Sequence, residues 1–161
     1  MAVRNIVLEG DEILRKKSRE VTEFNEKLWQ LLDDMAETMY SADGVGLAAV
    51  QVGVLRKVVV VDTGDTLYEM INPEIIEASG SQIGLEGCLS SPEEYGEVER
   101  PMKVKVSAKD RYGRQYFAEG TELLARAFCH EIDHLNGVLF KDLATEMVEV
   151  DEAKPKKRRK K

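Results

Sequence analysis

Between Thr22 and Gly44, apolar side chains recur at Leu28, Leu31, Leu32, Met35 and Met39, the spacing of one face of an α-helix. Thr22 or Asn25 is a candidate cap for its start, and Gly44 follows its end. The stretch "LRKVVVVDT" lacks polar alternation and is β-branched, which predicts a buried strand. Residues 102–120, "MKVKVSAKDRYGRQYFAEG", alternate, turn at "DRYG" and alternate again, the pattern of a β-hairpin. The clearest helix is "TELLARAFCHEIDHLNG", opened by Thr121 as N-cap and closed by Gly137 as the residue after the last turn. Strand runs followed by a late helix predict an α+β domain rather than alternating βαβ units.

That last helix carries both histidines of the chain, His130 and His134, four residues apart with Glu131 between them. On a wheel of about 100° per residue, His134 lies roughly 40° from His130 and Glu131 about 100° from it. Leu123, Leu124, Ala127, Phe128 and Leu135 share that sector, while Glu122, Arg126, Cys129, Asp133 and Asn136 form an opposite, polar one. The histidines and the glutamate therefore belong to the inward face. A carboxylate and two imidazoles are costly there unless something pairs with them. A divalent cation does so: histidines at i and i+4 close on one ion, and the glutamate stands where it can take a proton from an attacking water. Two hydrogen-bonded core histidines are the plainer alternative, and the spacing favours the metal.

Length and charge narrow the setting. A chain of 161 residues suits one compact domain. No apolar run approaches the eighteen or so residues that span a bilayer, and the N-terminus lacks the long apolar core of a signal peptide, so a cytoplasmic protein without membrane partners is expected. The net charge of −7 hides an asymmetry, because the stretch "KPKKRRKK" (154–161) holds seven bases and no acid. The rest has sixteen basic against thirty acidic residues, a net −14, which argues against a DNA-binding surface. Residues 1–150 are expected to form the domain and 151–161 a basic, disordered tail.

A catalytic site of this type needs a third protein ligand. Cys129 points to the polar side of the wheel and is a poor candidate. Cys88, in "GLEGCLSSP", has glycines that let the backbone approach a crowded centre, and it is modestly preferred over any single carboxylate. The other conspicuous segment is "GVGLAAVQVG" (44–53), whose small residues let a strand or ligand come close. Gln51 stands there among apolar neighbours; it is either a satisfied turn residue or an amide donor aimed at a substrate oxygen, and the residues alone leave the two readings even.

"GVGLAAVQ", "EGCLS" and "HEIDH", in that order, resemble the three signature motifs of the bacterial peptide deformylases, and "GDEILRKKS" is similar to that family's N-terminal stretch. The resemblance runs from about residue 4 to 145, and it implies a single-domain α+β fold with antiparallel sheets packed around a central metal-binding helix. It implies that Cys88, His130 and His134 are the metal ligands and that Glu131 is the general base and acid. It also implies that the Gln51 side-chain amide and the Leu89 backbone N–H serve as oxyanion donors. The implied reaction removes the formyl group from N-formylmethionyl nascent chains and releases formate. The residues alone suggest zinc, whereas the resemblance favours Fe²⁺, with Zn²⁺, Ni²⁺ or Co²⁺ able to take its place. Gly44, Val45, Gly46, Leu123 and Ala127 are the candidates to bind the substrate, the last with room for a methionine side chain. By the same analogy Glu86 and Arg100 form an ion pair behind Cys88, and Tyr95 stands where some members carry an arginine near the cleft. The tail at 154–161 either docks on the ribosome by charge or stays solvated. A small zinc peptidase and a non-enzymatic metal- or ribosome-binding module are the competing readings. Cys88 and the segment 44–51 weigh against the first, and an intact Glu131 against the second.

Overall fold

The computed structural model describes residues 2–148, so the expected tail at 151–161 lies outside the described residues. The first long element is helix α1 (Glu26–Ser41), followed by strands β1 (Gly46–Ala48), β2 (Val58–Val61) and β3 (Tyr68–Ser79). Next come β4 (Gln82–Cys88), β5 (Ser91–Arg100), β6 (Lys103–Lys109) and β7 (Gln115–Thr121). Helix α2 (Leu123–Leu135), the short α3 (Phe140–Leu143) and β8 (Glu146–Val148) complete the order. Five strands form one antiparallel sheet in the order β1-β2-β3-β6-β7, and β4-β5-β8 form a second. The fold is α+β. No helix among the described residues is long and apolar enough to cross a membrane.

The unbroken valine run of β2 has a direct explanation. Val59 and Val61 pack towards α2, beside Met70, Val106 and Phe128, whereas Val58 and Val60 pack towards α1, beside Leu32, Met35 and Met39. A strand covered on both faces has no solvent side on which polar residues would alternate. Each fully buried valine contributes roughly 1.5–3 kcal/mol through removal of its side chain from water. The predicted face of α1 is the buried one, and Asn25 caps it by accepting the Leu28 N–H at 3.3 Å.

Three expectations change at α2 and ahead of it. Thr121 is not the N-cap: it ends β7, paired with Lys103. Glu122 takes the cap position with φ 57° and ψ −123° and no side-chain cap bond, because the chain must turn there from sheet to helix. The polar sector of the wheel is not solvent-facing throughout, since Arg126 and Cys129 are both buried. The segment 44–53 is more than a turn, consisting of β1 followed by a single 3₁₀ turn over Ala49–Val52. The C-terminal end of α2 matches expectation. Gly137 adopts φ 76°, and a Cβ there would sit 2.5 Å from the Arg15 carbonyl oxygen.

Candidate metal centre and cleft

Helix α2 lies against the five-stranded sheet and presents its other side to β5 and the end of β4. This brings Cys88, at the C-terminal end of β4, to the two histidines one helical turn apart. One donor atom each from Cys88, His130 and His134 lies within 4.8 Å of the others, and Cys88 Sγ is 3.3 Å from His134 Nε2. The imidazoles meet edge to face with centroids 4.9 Å apart. Both histidines are buried. His130 Nδ1 bonds to a carboxylate oxygen of Glu86, which leaves Nε2 as its free donor atom.

The donor set fits a divalent transition metal ion, since two imidazole nitrogens and one thiolate are the ligand types such ions take. Electrostatics agree. Burial disfavours charge on His130, yet Glu131, Cys88 and Glu86 outweigh it and raise its pKa well above the ordinary value. A place that attracts a proton in such company attracts a cation for the same reason. Burial and the neighbouring His130 lower the pKa of His134 well below the ordinary value, which favours its neutral ring. Among the described residues, His134 Nδ1 and Glu131 Oε1 are buried side-chain atoms without a hydrogen-bond partner.

Glu131 is the most conspicuous of these groups. It is 4% exposed, and burial, opposed by His130 but reinforced by Glu86, pushes its carboxyl up to about 7. A carboxyl with that pKa exchanges protons readily near neutrality. It stands against β1, where a Cβ added to Gly46 would meet Glu131 Oε2 at 2.5 Å. Only glycine leaves room for it.

Gln51 is fully buried. Its Oε1 accepts the Ala48 N–H at 3.0 Å, which orients the amide so that Nε2 donates to Ser90 Oγ at 3.0 Å and faces Cys88 Sγ at 3.5 Å. The amide thus points at the cluster. Leu89 follows Cys88, and its side chain packs where a Cβ on Gly44 would be, 2.6 Å from Cδ1. A cleft of about 570 Å³ opens in front of the cluster, lined by Gly44, Val45, Gly46, Leu89, Leu123, Ala127 and Glu131. Ala127 is buried at its floor, while Val45 and Leu123 are 41% and 51% exposed at its mouth. The wheel had turned Leu123 inward, but as the first residue of α2 it has no preceding turn to cover it. Tyr95 also lines the cleft.

Behind the cluster the structure has more than the expected ion pair. Arg100 grips Glu86 with Nε at 3.1 Å from Oε1 and an Nη at 2.6 Å from Oε2, and reaches Asp133 at 2.7 Å. Burial alone would raise the Glu86 pKa, but His130 and Arg100 bring it down to about 2. The tie from Glu86 to His130, the burial of Arg126 and the bond from Arg100 to Asp133 were not read from sequence. The available signal was a glutamate two residues before Cys88 in an otherwise small, apolar stretch.

Comparison with known proteins agrees with this architecture. The polypeptide deformylase family profile matches residues 3–149. A peptide deformylase of Acetivibrio thermocellus is 59% identical over 152 residues, covering 94% of this chain and 89% of that one. One from Thermoanaerobacter pseudethanolicus is 57% identical over 152 residues, covering 94% and 96%. Among solved structures, the peptide deformylase of Thermotoga maritima superposes with a TM-score of 0.88 at 42% identity, covering 90% of this chain and 99% of that one. The Synechococcus elongatus enzyme in complex with actinonin gives 0.86 at 44% identity, covering 95% and 85%. With the family profile spanning nearly the whole described chain, this protein belongs to the peptide deformylase family.

Proposed function

We infer that this metallohydrolase removes the N-formyl group from the N-terminal formylmethionine of nascent polypeptides, releasing formate. In this reading Cys88, His130 and His134 hold the metal, and Glu131 carries the proton. The observation that supports it most is Glu131 itself, a buried carboxyl with an unpartnered oxygen, one residue from His130 and facing a cleft open to substrate. A divalent ion on the three ligands supplies Lewis acidity and brings the pKa of water from 15.7 towards about 7. We assign that ion as Fe²⁺, with Zn²⁺, Ni²⁺ or Co²⁺ as substitutes.

The chain's own residues account for the remaining steps. Glu131 accepts the proton of the attacking water and delivers it to the departing amine, a role suited to a carboxyl that titrates near 7. The Gln51 Nε2–H and the Leu89 backbone N–H are assigned as donors to the oxygen on which negative charge grows. Gln51 is held for that task by the Ala48 N–H, so its orientation costs nothing when charge develops. Gly44, Val45 and Gly46 form one wall for the peptide, and Leu123 and Ala127 border the slot for the methionine side chain. Residues 1–150 are the catalytic unit, placed in the cytoplasm, and the basic stretch 154–161 is assigned a salt-dependent contact with the ribosome.

The test is formate release from a formyl-methionyl tripeptide by protein prepared without oxygen and loaded with Fe²⁺. Glu131→Gln should abolish release while retaining the metal. Cleavage of unformylated peptides at comparable rates would point to a peptidase, and no release by fully metallated wild type would overturn the reading. Unchanged ribosome co-sedimentation at low salt after deletion of 154–161 would remove the tail assignment.

A further inference from the structure

Arg126 is a buried arginine on α2, one turn before His130. Its Nη1 donates to Glu86 Oε1 at 2.9 Å and to the Val98 carbonyl oxygen at 3.1 Å. Glu86 is crowded: Arg100 spans both of its oxygens, Arg126 adds to Oε1, and His130 Nδ1 takes Oε2. The two arginines differ in what they hold: Arg100 is shared with Asp133, whereas Arg126 joins Glu86 to the Val98 carbonyl oxygen. Oε1 is therefore held by both arginines, while Oε2 is shared between Arg100 and the His130 imidazole.

We propose that Arg126 is a positioning residue for the metal centre: by pinning Glu86 to the Val98 carbonyl it fixes the carboxylate that orients the His130 ring. The proposal rests on the assignment of His130 as a ligand. Ligand histidines take their orientation and basicity from the group on the other ring nitrogen, and loss of such support typically costs about 10–100-fold in metal affinity or activity. Without Arg126, Glu86 keeps Arg100, but Arg100 is also drawn to Asp133, and Glu86 loses its bridge to the Val98 carbonyl oxygen. A lysine at 126 restores the charge at Oε1 without the planar fork, so it should recover part of the function.

The experiment uses the full chain loaded with Co²⁺, challenged with a chelator while the thiolate-to-cobalt absorption is followed, with kcat and KM for formate release measured in parallel. The variants are Arg126→Met, Arg126→Lys, Glu86→Gln and the Glu86→Gln/Arg126→Met pair. Arg126→Met should lose Co²⁺ about tenfold more readily and show a lower kcat at unchanged KM, with partial recovery in Arg126→Lys. If Arg126 acts through Glu86, the double variant should be no worse than Glu86→Gln alone. Additive losses would overturn the proposal. So would a raised KM with unchanged cobalt retention, which marks a wall of the substrate slot. A lowered Tm with normal cobalt retention in the folded protein, which marks a purely structural ion pair, would do the same. Wild type that shows no thiolate absorption on Co²⁺ loading would remove the ligand assignment itself, and this proposal with it.

Discussion

Gly46→Ala isolates the position of Glu131 with a single methyl group. The added Cβ would lie 2.5 Å from Glu131 Oε2, 2.8 Å from Cγ and 2.9 Å from Cδ. Rotation of the carboxylate alone cannot relieve the contact, because Cγ is also too close and the side chain is buried. Gly46 has no positive φ, so its backbone accepts alanine, and the stiffer unfolded chain favours the variant by about 0.4–1 kcal/mol. Overpacking a filled site costs about 1–3 kcal/mol. The net loss is therefore about 0–2.6 kcal/mol, or a Tm lower by up to about 10 °C at about 2–4 °C per kcal/mol for a chain of this size. The catalytic effect should be larger than the effect on stability. A displacement approaching 1 Å at a proton carrier can cost about 10²-fold in rate, while the three ligands are left in place. The assay pairs urea or thermal unfolding with kcat for formyl-methionyl peptide and metal content by elemental analysis. A folded Gly46→Ala protein with full metal and wild-type kcat would refute the argument, since Glu131 would then not work from its position against β1.

Three other substitutions probe the frame around the site. Phe128→Ala removes a fully buried ring that meets Tyr68 edge to face at 5.3 Å; it should cost about 3–5 kcal/mol, read as a fall in the urea midpoint at unchanged slope. Glu122→Gly should stabilise by about 1 kcal/mol, because φ 57° with ψ −123° is a strained conformation for any residue but glycine; a lower Tm would contradict this. Asp34 binds the N-terminal stretch through the Ala2 N–H at 2.8 Å and Arg4 Nε at 2.9 Å. Burial raises its pKa, but Arg4, Ala2 and Gln30 outweigh it and hold it below the usual carboxylate value. A carboxyl depressed in the folded state stabilises fully above its unfolded pKa of about 3.9 and loses that contribution as the pH falls through the folded value. The stability gap between wild type and Asp34→Asn should thus be constant from pH 7 to 5 and close below pH 4. A gap that persists at pH 2 would show that Asp34 acts by shape and not by charge.

Local periodicity carried the parts of the fold in which one face meets one surface. Helix α1, the valine strand and the hairpin β6–β7 are of this kind, and their limits follow from a cap, a charge or a turn close in sequence. The second sheet is not. In β4 the apolar Ile83 and Leu85 are exposed while Glu86 is buried, an inversion of the rule that strand reading relies on. That inversion exists because the inward side of β4 faces the Cys88, His130 and His134 cluster and two buried arginines and not an apolar core. Thr121 shows a competition of another sort: a residue well suited to cap a helix is instead taken by pairing with Lys103, and tertiary hydrogen bonding overrides the local signal.

The helix wheel of α2 separates what sequence can reveal from what it cannot. It correctly groups His130, His134 and Glu131, because the spacing that places side chains on one face is a property of the helix alone. It also groups Arg126, Cys129 and Asp133, but a wheel does not say what meets a face. Here the partners come from Glu86 and Arg100, 40 and 26 positions away from Arg126 in the chain, and they turn an apparently solvated sector into a buried charge network. A buried charge is tolerated only with a partner, so Arg126, unmatched in its own helix, is explained by Glu86 before Cys88, which also holds Arg100 and His130. The candidate ligands are legible because their chemistry is rare. Their supports are written in common residues, and these acquire meaning only when the fold brings β4 and α2 together.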